Sequence, residues 1–296
     1  MAKTAIVTGA TGGIGYETAL GLARAGLHVF LTGRDAGRGQ AALSSLQAAL
    51  PAAQAEFRLL DVGSLDAVAA FARDWTGPLD LLVNNAGVMA YPHRRQTKDG
   101  FEAQLGINYL GHFALTLRLL PALLEAGGAS VVDVSSLAHR RGRIMFDDLQ
   151  SERNYVPFRA YAQSKLAMLI FARELQRRAR ERELDLVSIA AHPGWSATRI
   201  VQNGMGAGLL ASVASTAFGL LAQSAADGAK PTLYAALDPA AIPGGYYGPA
   251  NFGETRGPVA PAKVMPQATD QATAERLWTI SEQLTGLTFT DAVSNL

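Results

Sequence analysis

A strand-like segment, Thr4 to Thr8, leads directly into the glycine-dense run Thr8-Gly9-Ala10-Thr11-Gly12-Gly13-Ile14-Gly15, which opens a helical pattern from Ile14 to Ala25. A turn of this kind lets the backbone come close to a pyrophosphate, and the helix N-terminus offers it unpaired N–H groups and a partial positive charge. The run therefore predicts a dinucleotide site; the alternative is a strand-to-helix turn without a ligand. The residues predicted to contact the dinucleotide are Gly9, Thr11, Gly13, Ile14 and Gly15.

Outward from this turn, short apolar segments alternate with longer helical patterns. Nearly unbroken apolar segments are typical of strands covered on both faces, and their alternation with helices predicts parallel strands joined by crossovers. The predicted strands are Thr4 to Thr8, His28 to Thr32, Ala55 to Leu60, Leu79 to Asn84, Ser130 to Ser135 and Leu186 to His192. The predicted helices are Ile14 to Ala25, Gly37 to Leu50, Leu65 to Trp75, Phe101 to Ala126, Phe158 to Glu183 and Ala272 to Leu284.

These elements predict an α/β Rossmann fold, with a doubly wound parallel sheet of six to seven strands and helices on both faces. The seventh strand would be Gly245 to Tyr247, inside a proline-rich stretch, Gly244 to Pro266, that is otherwise predicted to be a surface loop. No long linker divides the chain, so residues 1–296 are predicted to form one domain. Within it we expect a cofactor-binding and catalytic core at about 3–200, a substrate flap at about 200–226 and a C-terminal extension at 244–296.

Composition excludes several classes of function. The 26 Lys and Arg against 25 Asp and Glu give a net charge of +1, too balanced for a protein that neutralises a row of phosphates, so nucleic acid is not an expected partner. The sequence has no cysteine, which excludes disulfides, thiolate metal sites and cysteine nucleophiles. The five histidines lack the one-turn helical spacing of paired metal ligands, so no metal is expected.

One apolar segment raises the question of a membrane. Residues 200–226 contain no Asp, Glu, Lys or Arg, a length that could cross a bilayer, but Gly, Ser and Thr dilute the segment. A mobile apolar flap over a pocket is the favoured interpretation, and a membrane span is the alternative. Because the N-terminus shows no signal-peptide pattern, the protein is expected to be cytoplasmic.

Arg34 follows the second predicted strand, where a dinucleotide fold places the residue that contacts the adenosine ribose. A carboxylate there would accept from a 2′-hydroxyl, whereas a guanidinium can pair with a 2′-phosphate. Arg34 therefore favours NADP(H) over NAD(H), although the neighbouring Asp35 could also reach the ribose.

Further candidate cofactor residues follow the third and fourth predicted strands. Ligands of open α/β folds bind at the carboxyl ends of strands, where a short carboxylate could accept from an adenine amino group and small residues would leave room for adenosine. An ordinary turn explains the same residue types. The candidates are Asp61, Val62, Asn85, Ala86 and Gly87.

The segment Tyr161-Ala-Gln-Ser-Lys165 lies on a long predicted helix, and its i, i+4 spacing places the phenol and the ammonium on one face. A nearby cation lowers the pKa of a phenol, so Tyr161 is a candidate general acid and base, with Lys165 lowering its pKa. Such pairs are also common on helix surfaces without any function. Ser135-Ser136 ends the fifth predicted strand, where a hydroxyl could bond the same substrate oxygen. Asn108 is a poor helix former whose amide could occupy a local kink and bind a water near the lysine.

Taken in order, the glycine turn, the Asn-Asn-Ala-Gly run, the strand-ending serine and the Tyr-x-x-x-Lys resemble the short-chain dehydrogenase/reductase family over about residues 3–200. The family's glycine motif falls on Thr8, Gly9, Gly13 and Gly15, and its catalytic tetrad falls on Asn108, Ser136, Tyr161 and Lys165. The family's serine is usually the second of a Val-Ser-Ser, which selects Ser136 and leaves Ser135 structural. The resemblance also implies cofactor contacts for Pro193, Gly194 and Thr198.

Within the family, the chain resembles the retinol-dehydrogenase-like branch and its bacterial relatives, which handle lipophilic carbonyls and alcohols. The motifs are His192-Pro-Gly, Gly244-Gly-Tyr-Tyr-Gly-Pro and Thr273-Ala-Glu-Arg-Leu-Trp278. The segment Leu137 to Ala160 is longer than in the simplest members, which leaves a homo-oligomer open. No membrane anchor precedes Lys3, which argues against a membrane retinoid enzyme.

The resemblance implies reversible hydride transfer between NADP(H) and a small-molecule carbonyl or alcohol. Tyr161 would exchange the proton, Ser136 would orient the oxygen, Lys165 would also bind the nicotinamide ribose, and Asn108 would anchor a water. Two alternatives stay open: a non-catalytic NADP-binding regulator, and the same enzyme docked on a membrane through Gly204 to Ala222. An apolar substrate pocket is expected under the flap, with ordinary core packing as the alternative for each liner. The candidate liners are Met89, Leu137, His139, Trp195 and Met205.

Overall fold

Eight strands form one sheet in the computed structural model, which describes residues 2–195 and 223–294. The strand order is β3-β2-β1-β4-β5-β6-β7-β8, in which β1 to β7 pair in parallel and β8 pairs antiparallel to β7. The strands are β1 Thr4–Val7, β2 His28–Gly33, β3 Ala55–Leu59, β4 Leu81–Asn84, β5 Ala129–Val134, β6 Leu186–Ala191, β7 Tyr246–Asn251 and β8 Arg256–Pro261.

Helices cover both faces of this sheet. Those described are α1 Gly13–Arg24, α2 Ala36–Ala49, α3 Leu65–Arg73, α4 Ala103–Glu125, α5 Pro157–Glu181, α6 Ala225–Leu237, α7 Gln271–Thr285 and α8 Phe289–Ser294. Helix α4 contains a π-helical turn at Gly106–Leu110, and a 3₁₀ turn at Leu137–Arg141 follows β5. Helix α5 begins with Pro157 at its first position, where the missing N–H costs nothing.

The core consists of two apolar layers because successive strand residues point to opposite faces of the sheet. Ile6 and Val131 pack with apolar residues of α3, α4, α5 and α7 on one face. Val7 and Val132 pack with residues of α1, α2 and α6 on the other. The layers hold the carboxyl ends of β1, β4 and β5 side by side.

The predicted α/β Rossmann fold is confirmed, but the strand count was too low. The stretch Gly244 to Pro266, predicted to be mostly loop, contains the hairpin of β7 and β8. Pro258 and Pro261 are tolerated because β8 is an edge strand, and Pro249 lies beyond the residues of β7 that pair with β6. Helices α6 and α8 were not predicted, and Pro231 within α6 is a residue that usually argues against a helix.

The segment interpreted as a flap lies mostly outside the described residues, which resume at Gln223. Thr198, Met205 and the stretch Gly204 to Ala222 therefore have no structural description. Among the described helices, α4 is long and apolar enough to cross a membrane, but 72% of its most apolar window is buried inside the protein. That burial is typical of a central core helix.

Candidate active site

The glycine run forms a tight turn between β1 and α1 at the carboxyl edge of the sheet. Gly9 has a φ of +66° and Gly13 a φ of +58°, conformations that favour glycine. A Cβ on Gly9 would lie 2.8 Å from the Ala86 Cα, and a Cβ on Gly15 would collide with the Gly9 carbonyl and the Asn85 side chain. The turn therefore packs directly on the segment after β4.

The start of α1 offers space and donors to an anion. Gly12 caps the helix without a side-chain hydrogen bond, so first-turn N–H groups lack a side-chain cap, and no atom lies within 4 Å of the position a Gly12 Cβ would take. A helix N-terminus with open backbone suits a pyrophosphate. These residues fit a dinucleotide.

Thr8 connects the turn to the segment after β4. The Thr8 Oγ1 accepts hydrogen bonds from the backbone N–H of Asn85 (2.8 Å) and Ala86 (2.9 Å), and the Asn85 side chain donates to the Thr8 carbonyl (2.7 Å). The two candidate cofactor segments thus form one rigid unit.

The predicted ribose-binding residues lie at the end of β2. Arg34 is exposed, and the methyl group of Thr11 lies against the neighbouring Gly33, at 2.5 Å from the position its Cβ would take. Asp35 caps α2, where its Oδ1 accepts from the Arg38 N–H at 2.9 Å. The carboxylate that could have competed for the ribose thus already has a structural partner, while Arg34 extends into solvent.

The segment after β3 completes this edge. The Asp61 Oδ1 accepts from the Gly63 N–H (3.0 Å), and Val62 is buried with its carbonyl against Gly111 of α4, where a Cβ would collide with it. Asp61 and Val62 therefore lie after β3 at the carboxyl edge, as predicted. The Asp61 carboxylate stabilises its own turn.

Ser136 and Tyr161 meet beyond β5. Ser136 caps the 3₁₀ turn, and its Oγ accepts from the Ala138 N–H at 3.2 Å, which leaves the hydroxyl hydrogen free to be donated. Tyr161 lies near the start of α5, with its hydroxyl close enough to the Ser136 side chain for the serine to lower the pKa of the phenol. Ser135 donates from its buried hydroxyl to the Lys165 carbonyl (2.7 Å), a structural contact.

Lys165 lies one turn along α5 from Tyr161. Its Nζ donates to the Val134 carbonyl at 2.8 Å, at the carboxyl end of β5. Burial lowers the pKa of Lys165 to about 8, which the nearby Asp133 carboxyl opposes. The ammonium is also 3.6 Å from the position that a Gly87 Cβ would take, so glycine at 87 leaves room beside it.

The expectation that Lys165 lowers the pKa of Tyr161 is not what this structure shows. Burial raises the pKa of the Tyr161 phenol above its usual value of 10.0, and the neighbouring Ser136 side chain only partly offsets this rise. The lysine ammonium is instead engaged by the Val134 carbonyl. In this state Tyr161 is a protonated phenol at neutral pH.

Asn108 lies within the π-helical turn of α4, so the predicted local distortion is confirmed. Its Nδ2 donates to the Val88 carbonyl (2.9 Å) and the Ser164 Oγ (2.8 Å), and its Oδ1 accepts from the Val88 N–H (2.8 Å). Because protein groups take both amide hydrogens, the amide positions Val88 and Ser164 rather than donating to a water. Ser164 in turn donates to the Tyr161 carbonyl (2.8 Å), which links Asn108 to the tyrosine.

A buried polar residue that the sequence analysis missed, His112, joins the two halves of the site. Its ring nitrogens contact the Thr8 Oγ1 (2.9 Å) and the Asn108 carbonyl (3.1 Å). Burial lowers the pKa of His112 to about 4, so the ring is neutral. Asn108, His112 and Thr116 recur every four residues on an apolar helix, and this spacing is the signal that could have identified them.

A carboxyl group is buried beneath Lys165. Asp133 is fully buried, and its Oδ1 accepts from the Asn84 Nδ2 at 2.9 Å. Within the described ranges, the Asp133 Oδ2 and the Asn84 Oδ1 have no hydrogen-bond partner. Burial raises the pKa of the Asp133 carboxyl to about 7, against the lowering effects of Asn84 and Lys165. A protonated Asp133 would supply the donor that these two oxygens lack.

Replacing Asp133 with asparagine is expected to raise the free energy of unfolding at pH 8 by at least about 2 kcal/mol more than it does at pH 5. The carboxyl titrates near 7 when folded and near 3.8 when unfolded, so the folded chain binds more protons between these values and this group's stabilisation is lost as the pH rises. Denaturant unfolding at both pH values measures the difference. A variant whose stability depends on pH as strongly as that of the natural protein would contradict the assignment.

The segment after β6 reaches the same edge. Gly194 has a φ of +66°, and a Cβ there would collide with the Thr255 carbonyl. Its N–H donates to the His192 Nδ1 at 3.1 Å, and the Gln223 side chain donates to the Pro193 carbonyl. Pro193 and Gly194 thus lie at the carboxyl edge as predicted, whereas their contact with a cofactor stays a prediction.

The predicted substrate liners occupy different environments. Met89 packs against Ala138 and Tyr161, while Trp195 is 46% exposed. His139 is fully buried, and its Nδ1 donates to the Ser136 carbonyl (2.7 Å), so it fixes the serine turn from inside the fold. A cavity of about 300 Å³ lies between α3, α4 and α8, away from all these residues.

A doubly wound sheet that brings an open glycine turn and a Ser–Tyr–Lys group to one edge defines an oxidoreductase of the dinucleotide-binding class. The sequence model of the family described as short chain dehydrogenase matches residues 3–205. The chain belongs to this family, as predicted.

Individual relatives resemble almost the whole chain. Polyprenol dehydrogenase of Mus musculus is 43% identical over 292 residues, which cover 96% of this chain and 84% of that protein. Retinol dehydrogenase 12 of Homo sapiens is 38% identical over 290 residues, covering 96% and 87%. A crystal structure of an uncharacterized protein from Mycobacterium paratuberculosis has a TM-score of 0.80 and 41% identity, covering 97% of this chain and 94% of that one. The predicted resemblance to the retinol-dehydrogenase-like branch is confirmed.

Proposed function

We propose that the protein catalyses reversible hydride transfer between NADP(H) and the carbonyl or alcohol group of a lipophilic substrate. The observation that carries this proposal is the placement of the buried Tyr161 beside the half-buried Ser136 side chain, one helical turn from Lys165 and at the same sheet edge as a glycine turn that fits a dinucleotide. A proton donor and an oxygen-orienting group are what carbonyl reduction requires of the protein.

The cofactor would be held at the carboxyl edge of the sheet. The open N-terminus of α1 would bind its pyrophosphate, and Asp61, Asn85, Ala86 and Gly87 would border its adenosine and ribose. When bound, NADPH supplies the hydride, and the remaining chemistry falls to side chains of the chain.

In the direction of reduction, the Tyr161 hydroxyl transfers its proton to the carbonyl oxygen as hydride adds to the carbon, which gives an alcohol. Ser136 donates to the same oxygen with the hydrogen that its bond from Ala138 leaves free. The raised pKa keeps Tyr161 protonated, so the resting protein is ready for this direction. Lys165 lies one turn away with a pKa of about 8 and holds its charge beside the tyrosine at neutral pH.

Arg34 supports the choice of NADP(H) over NAD(H). It extends from the end of β2 into solvent, while Asp35 is occupied by the α2 cap. A guanidinium can pair with a 2′-phosphate, and a carboxylate that is already hydrogen-bonded competes poorly for a 2′-hydroxyl.

A lipophilic substrate agrees with two observations. Met89 and Ala138 form an apolar contact with the Tyr161 ring. Two relatives that cover most of the chain are named for retinol and polyprenol, alcohols with long apolar chains. Homo-oligomerisation and a cytoplasmic location stay predictions.

The decisive assay follows the consumption of NADPH and NADH with aliphatic, aromatic and isoprenoid aldehydes and ketones. Turnover is expected with NADPH favoured, and with the isoprenoid carbonyls the best substrates. Changing Arg34 to alanine should lower kcat/KM for NADPH by about 10- to 100-fold and leave that for NADH unchanged, because one charged pair is lost. Changing the exposed Arg38, one turn further on, is the matched control.

Equal use of both cofactors by the natural protein would overturn the role of Arg34. NADPH binding without turnover of any carbonyl would overturn the enzymatic proposal and favour the NADP-binding regulator. Turnover that appears only when lipid vesicles are present would instead favour the membrane-docked enzyme.

A further inference from the structure

The hairpin between β7 and β8 ends in a strained tip next to the candidate active site. Three successive residues have positive φ values: Phe252 (+52°), Gly253 (+69°) and Glu254 (+71°). Such angles are uncommon for residues other than glycine, and they persist where surrounding contacts hold them. The contacts of Glu254 therefore indicate why the hairpin tip keeps this strained conformation.

Glu254 binds two separate segments of the site through one oxygen. Its Oε2 accepts from the His192 Nε2 (3.0 Å) and pairs with the Arg140 Nη2 (2.6 Å), and its Oε1 accepts from the Lys263 N–H (3.0 Å). Arg140 belongs to the 3₁₀ turn that Ser136 caps, and it also donates to the Gly253 carbonyl (3.2 Å). The carboxylate is 17% exposed, so these bonds are largely shielded from water.

The bonds around His192 define its protonation. Its Nδ1 accepts from the Gly194 N–H at 3.1 Å, so the hydrogen is on Nε2, which donates to Glu254. Burial lowers the pKa of His192, which keeps the ring neutral with both nitrogens engaged. The ring therefore transmits the position of Glu254 directly to the Gly194 backbone.

A second contact holds the same segment. The Trp195 N–H donates to the Thr255 carbonyl at 2.8 Å, so the residue that follows Gly194 is also held by the hairpin through its backbone. Gly194 lies so close to Thr255 that a Cβ would collide with its carbonyl. The hairpin is thus fitted to the segment after β6 by side chain and backbone together.

We infer that Glu254 is a positioning residue, which fixes the Pro193–Gly194 segment against the Ser136 turn and so sets the approach of the nicotinamide ring to the substrate carbonyl. The inference rests on the proposed function and on the predicted contact of Pro193 and Gly194 with the cofactor. Misplacement of reacting groups by about 1 Å can cost on the order of 100-fold in rate. Glu254 contributes no proton and touches no substrate; it acts through His192 and Arg140.

The test compares the natural protein with Glu254→Ala and Glu254→Gln. For Glu254→Ala we expect kcat to fall by about 10- to 100-fold, the Kd for NADPH to stay within about threefold, and the fluorescence anisotropy of bound NADPH to fall as the nicotinamide loosens. Glu254→Gln keeps an oxygen acceptor for His192 and should recover a large part of both losses. If Glu254→Ala does not fold, the kcat and the anisotropy of bound NADPH are measured in Glu254→Gln instead.

The chain contains a matched control. The Glu56 carboxylate lies 3.1 Å from the His28 Nε2 and 3.7 Å from the Arg58 Nη2, the same three residue types on β2 and β3, away from the carboxyl edge. Changing Glu56 to alanine should leave kcat and the anisotropy unchanged.

The outcomes separate cleanly. Normal kcat and normal anisotropy in Glu254→Ala, or a loss of stability alone, would overturn the positioning role. Absence of turnover in the natural protein would overturn the proposed function instead, and the anisotropy of bound NADPH would still decide the role of Glu254.

Discussion

Replacing Tyr161 with phenylalanine is expected to lower kcat by about 10²- to 10⁴-fold, the usual contribution of a positioned proton donor. The ring is buried against Met89 and Ala138, so phenylalanine keeps the packing and removes only the hydroxyl beside Ser136. The Kd for NADPH, measured by its fluorescence on binding, should change by less than about threefold, because the glycine turn is untouched.

A second tyrosine–serine pair in the core is the matched control. The Tyr109 hydroxyl lies 2.7 Å from the Ser281 Oγ, and Tyr109 is buried like Tyr161, but it joins α4 to α7 instead of facing the site. Tyr109→Phe should lower stability by about 1 kcal/mol and leave kcat unchanged. If Tyr161→Phe retains more than a tenth of the natural turnover, another group supplies the proton and the assignment of Tyr161 is wrong.

The strands of this fold could be predicted because their burial is recorded in the sequence itself. Strands covered on both faces are unbroken apolar runs, and β1, β2 and β6 begin at the predicted residues. The hairpin of β7 and β8 could not be predicted in the same way. Its prolines and glycines are compatible with an edge strand and a strained tip, but the same residue types are typical of loops.

The residues of the candidate site likewise fall into two groups, those with a local sequence pattern and those without one. Tyr161 and Lys165 could be identified because a helical spacing fixes their relationship without any knowledge of tertiary contacts. Asp133, His112 and Glu254 depend on partners 49, 104 and 62 residues away in sequence, and no local pattern specifies such pairs. Even the pKa of Tyr161 followed burial rather than the neighbouring lysine, because desolvation depends on the whole fold.

The C-terminal helices, which lie beyond the residues matched by the family model, complete the core beneath the site. Trp278 of α7 is 2% exposed and lies 5.1 Å from Phe113 of α4, 5.7 Å from Phe171 of α5 and 5.6 Å from Phe289 of α8, measured between ring centroids. Helix α5 carries Tyr161, and α4 carries Asn108. One side chain therefore joins the two helices that present these residues.

Changing Trp278 to alanine is accordingly expected to lower the free energy of unfolding by about 3–5 kcal/mol, the cost of removing a large aromatic side chain from a core. That loss is a large fraction of the stability of a typical domain, so the variant should bind NADPH when cold and lose it well below the natural unfolding temperature. Denaturant unfolding followed by circular dichroism measures the effect. Trp75 is the control, because it is only partly buried near the sheet edge against Phe30, and its removal should cost clearly less. An equal loss in the free energy of unfolding at the two positions would mean that the packing of α7 does not stabilise the core.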